Sequence, residues 1–157
     1  MKMIDKSTRQ TVVQSNESPL NQTSTVRRIL VADDDKAMRR LSAGVLSRSG
    51  YHVVEVEDGE EGWEALRTHH FDLLITDNDM PRLTGVELVK KIHTARMTVL
   101  IILASGVPPV EELKRHPWLQ ISATLLKPFT VEELLETVKK VLHSIDGSKY
   151  QISSSSE

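Results

Sequence analysis

Ile29-Leu30-Val31-Ala32-Asp33-Asp34-Asp35 sets four apolar residues directly against three acids. An apolar run this short and without alternation fits a strand buried on both faces, as in a parallel sheet covered by helices on either side. Moving outward, Met38, Leu41 and Val45 recur at the i, i+3, i+7 spacing of a helix face until Gly50, a residue type that readily ends helices. The same alternation then repeats. Tyr51 to Val56 reads as a second strand and Gly59 to Thr68 as a helix. Phe71 to Thr76 reads as a third strand, ended by Asp77, with a helix opening at Thr84 or Gly85 and carrying Val86, Val89 and Ile92 on one face. Val99 to Ala104 is the fourth strand, a weaker helix covers Pro109 to Arg115, and Ala123 to Leu126 is the fifth strand. The last helix has the clearest period, in Val131, Leu134, Leu135, Val138, Val141, Leu142 and Ile145. Thr130 is its N-cap, Glu133 completes a capping box, and Gly147 is its expected stop.

Five strands each followed by a helix imply parallel pairing with right-handed crossovers. The predicted fold is a doubly wound α/β three-layer sandwich around a five-stranded parallel sheet in the order 2-1-3-4-5. Ligands of such sheets bind outside the carboxyl ends of the strands, near the switch point between strands 1 and 3.

The whole chain has 157 residues, 39% hydrophobic and 27% charged, which suits one globular domain. Thirteen of the first 25 residues are Ser, Thr, Asn or Gln, so residues 1–25 are expected to be a disordered tail, 26–145 the domain, and 146–157 a second tail. With no Cys, disulfides, thiolate nucleophiles and Cys-ligated metals are excluded. Twenty basic against 22 acidic residues leave a net charge of −2, no excess with which to neutralise a nucleic-acid backbone, so no direct nucleic-acid partner is expected. The longest apolar run, Val99 to Ala104, is six residues, against roughly 20 for a membrane span. Lys2 and Lys6 are not followed by the apolar core of a secretory signal, so no membrane insertion and a cytoplasmic location are expected.

Four of the five strands end in reactive polar groups. Strand 1 delivers Asp33-Asp34, strand 3 Asp77 with Asp79 two residues on, strand 4 Ser105-Gly106, and strand 5 Lys127-Pro128. In the expected order these strands are neighbours about 4.8 Å apart, so their terminal side chains converge. Clustered carboxylates repel unless protons or a cation neutralise them. Oxygen donors without Cys or a nearby His favour Mg²⁺ or Mn²⁺ over zinc or copper. A carboxylate beside such a cation, facing an ammonium and a hydroxyl, can attack a phosphorus centre and hold the resulting phosphoryl oxygens. Aspartyl phosphorylation is the chemistry this set supports.

Taken together, Ile29 to Asp35 with Met38-Arg39-Arg40, Asp72 to Pro81 with Gly85, Leu103-Ala104-Ser105-Gly106, and Leu126-Lys127-Pro128-Phe129 make residues 27–144 resemble the receiver domain of two-component response regulators. That resemblance implies a flavodoxin-like fold and a single-domain regulator of the chemotaxis-receiver type. It implies Asp77 as phosphoacceptor, taking its phosphoryl group from a phosphohistidine on a sensor histidine kinase or histidine phosphotransfer protein. Asp34 would be the main metal-binding carboxylate, with Asp33 holding a metal-bound water and Asp79 supplying its backbone carbonyl. Ser105 would hydrogen-bond the phosphoryl oxygen, Lys127 would pair with the phosphoryl group across a cis bond to Pro128, and Gly85 would permit the turn after Pro81. Output would be a phosphorylation-dependent surface for an unknown downstream protein. One position departs from the pattern: Thr124 stands where receivers of this type often carry Tyr or Phe, so signal output must rely on shifts around Ser105 and the fourth helix. Asp79 is an additional acid, and it should increase the demand for metal.

Each element also has a plainer explanation. The three acids suit a helix N-terminus, Asp77-Asn78-Asp79 suits a turn, Lys127 a solvated strand end, and Arg39-Arg40 a solvated helix face where the resemblance places kinase docking. His52, His69, His70, His93, His116 and His143 share no metal spacing and are expected at the surface; Trp63 is expected to pack the second helix, and Trp118 to be a packed loop anchor before strand 5, with a partly exposed partner contact near the output face as the alternative. Two other functions compete: a phosphorylation-independent scaffold, favoured by Thr124, and a haloacid-dehalogenase-type phosphohydrolase, whose Asp-x-Asp motif Asp77-Asn78-Asp79 meets in its minimal form.

Overall fold

The computed structural model describes residues 25–150; of the two expected tails, residues 1–24 and 151–157 lie outside the described residues. Five strands alternate with five helices: β1 (Arg28–Ala32), α1 (Lys36–Arg48), β2 (His52–Val56), α2 (Gly59–Thr68), β3 (Leu73–Asp77), α3 (Gly85–Thr94), β4 (Leu100–Ser105), α4 (Val110–Arg115), β5 (Ala123–Leu126) and α5 (Val131–Tyr150). The strands pair in parallel in the order β2-β1-β3-β4-β5, as the alternation predicts.

Side chains alternate across the sheet and feed two cores. Ile29 and Val31 point to one face with Leu73, Ile75 and Ile102, and meet Leu46 of α1 and Leu134 and Val138 of α5. Leu30 and Ala32 point to the other with Leu74 and Leu103, and meet Val86, Val89 and Ile92 of α3. All five residues of β3 are buried, which places it at the centre of the sandwich. Burying a Leu or Ile side chain contributes about 2 kcal/mol, so these two cores dominate the folding energy.

Caps hold the helix starts. Thr130 accepts from the Glu133 N–H at 3.1 Å while Glu133 accepts from the Thr130 N–H at 2.8 Å, and Thr84 with Glu87 forms the same reciprocal box at α3. Gly50 takes φ +95° at the end of α1, and the next N–H, of Tyr51, returns to the Leu46 carbonyl.

Two sequence expectations need correction. The face of α1 that meets the core is Ser42, Ala43 and Leu46, and Leu41 is 54% exposed. Small Ser and Ala side chains seat the helix beside Leu46, Met38 and Val45 are half-buried, and Leu41 is rotated outward. The helical stop expected at Gly147 does not occur, because α5 runs on to Tyr150. Glycine inside a helix costs about 1 kcal/mol relative to Ala but leaves the hydrogen-bond ladder intact. Gly50 differs from it in taking a positive φ and turning Tyr51 inward, against the core.

No helix among the described residues is long and apolar enough to cross a membrane. Trp63 packs against the core at α2, with Lys91 Nζ 5.2 Å from its ring centroid. Trp118 is 45% exposed, between the rings of His93 and His116. Five of the six histidines are exposed, whereas His116 is half-buried, edge-on to Trp118.

Candidate functional site

The register brings the strand ends level. Ala32 of β1 lies opposite Thr76 of β3, which places Asp33 beside Asp77. Asp77 in turn lies opposite Ala104 of β4, one residue short of Ser105, and the Lys127 N–H beyond β5 bonds the Ser105 carbonyl at 2.9 Å.

The three acids after β1 have separate duties. Asp35 is the N-cap of α1, accepting from the Ala37 and Met38 N–H groups, as its place before a helix predicts. Asp33 is buried and takes the Asp35 N–H on one carboxylate oxygen at 2.9 Å. Its other oxygen accepts from Lys127 Nζ at 2.8 Å. Asp34 is exposed at the mouth of the site. One oxygen from each of Asp33, Asp34 and Asp77 falls within 4.8 Å of the others.

Asp77 ends β3 with 6% of its surface exposed, and Lys127 Nζ lies 3.6 Å from its Oδ1. Behind it, Gly85 presses on the backbone: a Cβ there would overlap the Asp77 carbonyl oxygen and come within 2.9 Å of Asn78 Cα. Asn78 locks the following turn by accepting from the Val86 N–H at 3.1 Å. Burial raises the Asp77 pKa above its ordinary 3.8, and the charges of Asp33 and Asp79 push the same way; Lys127 and the Asp79 backbone N–H act against them without prevailing. For Lys127, burial opposes the charged form, but the Asp33 hydrogen bond and the charges of Asp33 and Asp77 outweigh it, so its pKa is raised.

Ser105 stands apart from this group. It is buried, and its hydroxyl donates to the Val107 carbonyl at 2.7 Å and accepts from the Val107 N–H at 3.2 Å. Asp79 is exposed. Thr124 is an exposed residue on β5, opposite Leu103. The Lys127–Pro128 bond is cis.

Sequence reasoning missed one residue here. The sequence offers Arg39 and Arg40 as a pair, yet only Arg40 is exposed. Arg39, with a side chain 12% exposed, donates from Nη1 to the Asp33 carbonyl at 2.8 Å and lies 3.7 Å from Glu55, tying α1 to β2 behind the acids. Its place six residues after Asp33, on the inner side of the first helical turns, is the sole sequence signal.

Acids at two adjacent strand ends, an ammonium bridging them and a hydroxyl at the next strand match one known family. The response regulator receiver domain model covers residues 29–139. This chain belongs to that family. Receiver domains are signalling phosphoacceptors rather than conventional enzymes; they partner with histidine kinases or phosphotransfer proteins and bind Mg²⁺ at an acidic pocket. The receiver protein CpdR of Brucella abortus is 32% identical over 117 residues, covering 74% of this chain and 98% of its own length. Chemotaxis protein CheY1 of Helicobacter pylori is 35% identical over 127 residues, covering 76% and 99% respectively. Among solved structures, a CheY-like receiver domain from Methanospirillum hungatei superposes with a TM-score of 0.74 at 28% identity, covering 78% of this chain and 98% of that one.

The donor set of this receiver fits the family's metal: three carboxylates within 4.8 Å, all oxygen, suit a hard divalent cation.

Proposed function

We propose that this receiver accepts a phosphoryl group on Asp77 from a phosphohistidine of a sensor kinase or phosphotransfer protein. An Asp77 carboxylate oxygen forms the bond to phosphorus as the phosphorus–nitrogen bond of the phosphohistidine breaks, and the leaving imidazole takes up a proton. The observation that carries this reading is the Asp33, Asp34, Asp77 and Lys127 cluster at the carboxyl edge of the sheet. Asp33, Asp34 and Asp77, with the Asp79 backbone carbonyl, would hold Mg²⁺ or Mn²⁺. The cation supplies positive charge that offsets the phosphoryl oxygens.

Lys127 sits within reach of Asp77 and would transfer its hydrogen bond from Asp33 to a phosphoryl oxygen. For Ser105 to do the same, its single hydroxyl hydrogen must leave the Val107 carbonyl. That exchange would release the segment between β4 and α4, and α4 is poorly anchored: it has no buried residue and no side-chain cap. Signal would thus leave the site through Ser105, Val107 and α4, with Thr124 playing no aromatic part, to reach a downstream protein.

The test is incubation of the full chain with acetyl phosphate, with and without Mg²⁺, followed by intact mass on wild type and Asp77→Asn. One added phosphoryl group, dependent on Mg²⁺ and absent in Asp77→Asn, is expected. A folded, Mg²⁺-binding wild type that stays unmodified would leave a phosphorylation-independent scaffold as the better account, and turnover of phosphomonoesters would point to a hydrolase.

A further inference from the structure

The segment joining β3 to α3, residues 78–84, is gripped from outside the acidic site by the first turn of α2. Asp58, the N-cap of α2, is 1% exposed. One of its carboxylate oxygens accepts from the Glu61 N–H at 2.9 Å, and the other is paired with the Arg82 guanidinium. Among the described residues Arg82 is the one cation in ion-pair range of Asp58. Next to the pair, Gly59 packs on the Leu83 backbone, where a Cβ would overlap the carbonyl oxygen and come within 2.8 Å of Leu83 Cβ.

Arg82 adopts φ +66°, a left-handed conformation that glycine takes freely and that costs a residue with a side chain about 1 kcal/mol. The backbone at this position would be easier for glycine. What arginine adds is its guanidinium, 58% exposed at the side chain yet turned onto a carboxylate that is otherwise buried without a counter-charge. The other end of the same segment is fixed by Asn78, whose carbonyl accepts the Gly85 N–H at 3.1 Å. Asp79 lies between these two anchors, two residues after Asp77.

We infer that the Asp58–Arg82 pair is a positioning clamp that holds residues 78–84, and with them the Asp79 backbone, against Asp77, and so sets how tightly the acidic site binds a divalent cation. The inference rests on the phosphoacceptor reading of Asp77 and extends it to two residues that do not touch the reacting atoms.

The experiment titrates Mg²⁺ by calorimetry into full-length wild type, Arg82→Gly, Arg82→Lys and Asp58→Asn, and records each metal-free thermal midpoint. Arg82→Gly removes the guanidinium while relieving the backbone, and its Mg²⁺ affinity is expected to fall about tenfold, as when an outer partner that orients a ligand is lost. Arg82→Lys should recover most of that loss, and Asp58→Asn, which keeps the cap to Glu61, should weaken binding in the same direction. Arg82→Gly binding Mg²⁺ within about twofold of wild type, at any thermal midpoint, would overturn the clamp and leave the pair a brace of the fold alone. If Asp58→Asn unfolds, the two Arg82 variants decide the matter, because that side chain is largely exposed. A folded wild type that neither binds Mg²⁺ nor accepts a phosphoryl group overturns the reading of Asp77, and the clamp with it.

Discussion

Lys127 is bound to Asp33 rather than to Asp77: its Nζ donates to Asp33 Oδ2 over 2.8 Å and lies 3.6 Å from Asp77 Oδ1. The ammonium therefore compensates two adjacent carboxylates at once. Lys127→Met leaves them facing each other without it, and metal-free stability at pH 7 is expected to fall by about 2 kcal/mol once the site's partial solvent access is allowed for. The folded-state pKa of Lys127 is raised above its ordinary 10.5, so its contribution is whole at neutral pH and disappears as pH rises through the folded value. Urea denaturation at pH 7 and above pH 10 checks both the size and the direction.

At Asp77 the charged form is the unfavourable one. Burial, then Asp33 and Asp79, raise its pKa above 3.8, so its stabilising contribution is present below that value and lost as pH rises through the folded pKa. At neutral pH the ionised carboxylate destabilises the metal-free fold. Asp77→Asn should therefore unfold at a higher temperature than wild type at pH 7, by about 4 °C for a gain on the order of 1 kcal/mol. The advantage should vanish near pH 3 and shrink when Mg²⁺ is added. Calorimetric scans across pH, with and without Mg²⁺, measure it; a mutant no more stable than wild type at pH 7 would contradict the assigned charge balance.

Two glycines offer opposite outcomes from the same substitution. Gly85→Ala drives a Cβ into the backbone of Asp77 and Asn78, and should destabilise by about 2 kcal/mol while displacing the acceptor and lowering acetyl phosphate labelling. Gly44 lies inside α1 with no atom within 4 Å of an added Cβ, so Gly44→Ala should stabilise by roughly 0.5–1 kcal/mol with labelling unchanged. Thermal midpoints and intact mass on the two variants make the comparison.

Ser105→Ala removes both bonds to Val107 and should cost about 1 kcal/mol before any phosphorylation. If the hydroxyl moves to the phosphoryl group, the amide signals of Val107 and α4 in wild type should shift on phosphorylation, and Ser105→Ala should lose that shift while still gaining the phosphoryl mass. Identical spectral changes in both proteins would remove Ser105 from the output path.

Sequence alone determined the order and type of every element, because short unalternating runs such as Ile29 to Ala32 and the capping pair Thr130–Glu133 are local signals. It also placed Asp33, Asp34, Asp77, Ser105 and Lys127 at strand ends. Tertiary structure decided the rest. It made Ser42, Ala43 and Leu46 the inner face of α1, carried α5 through Gly147, turned Ser105 toward Val107, set Arg39 behind Asp33, and joined Asp58 to Arg82. Each of these depends on which of several chemically suitable neighbours lies within a few ångströms. Strand register and helix docking choose that neighbour, by burying two cores at once, and no local stretch of the chain encodes the choice.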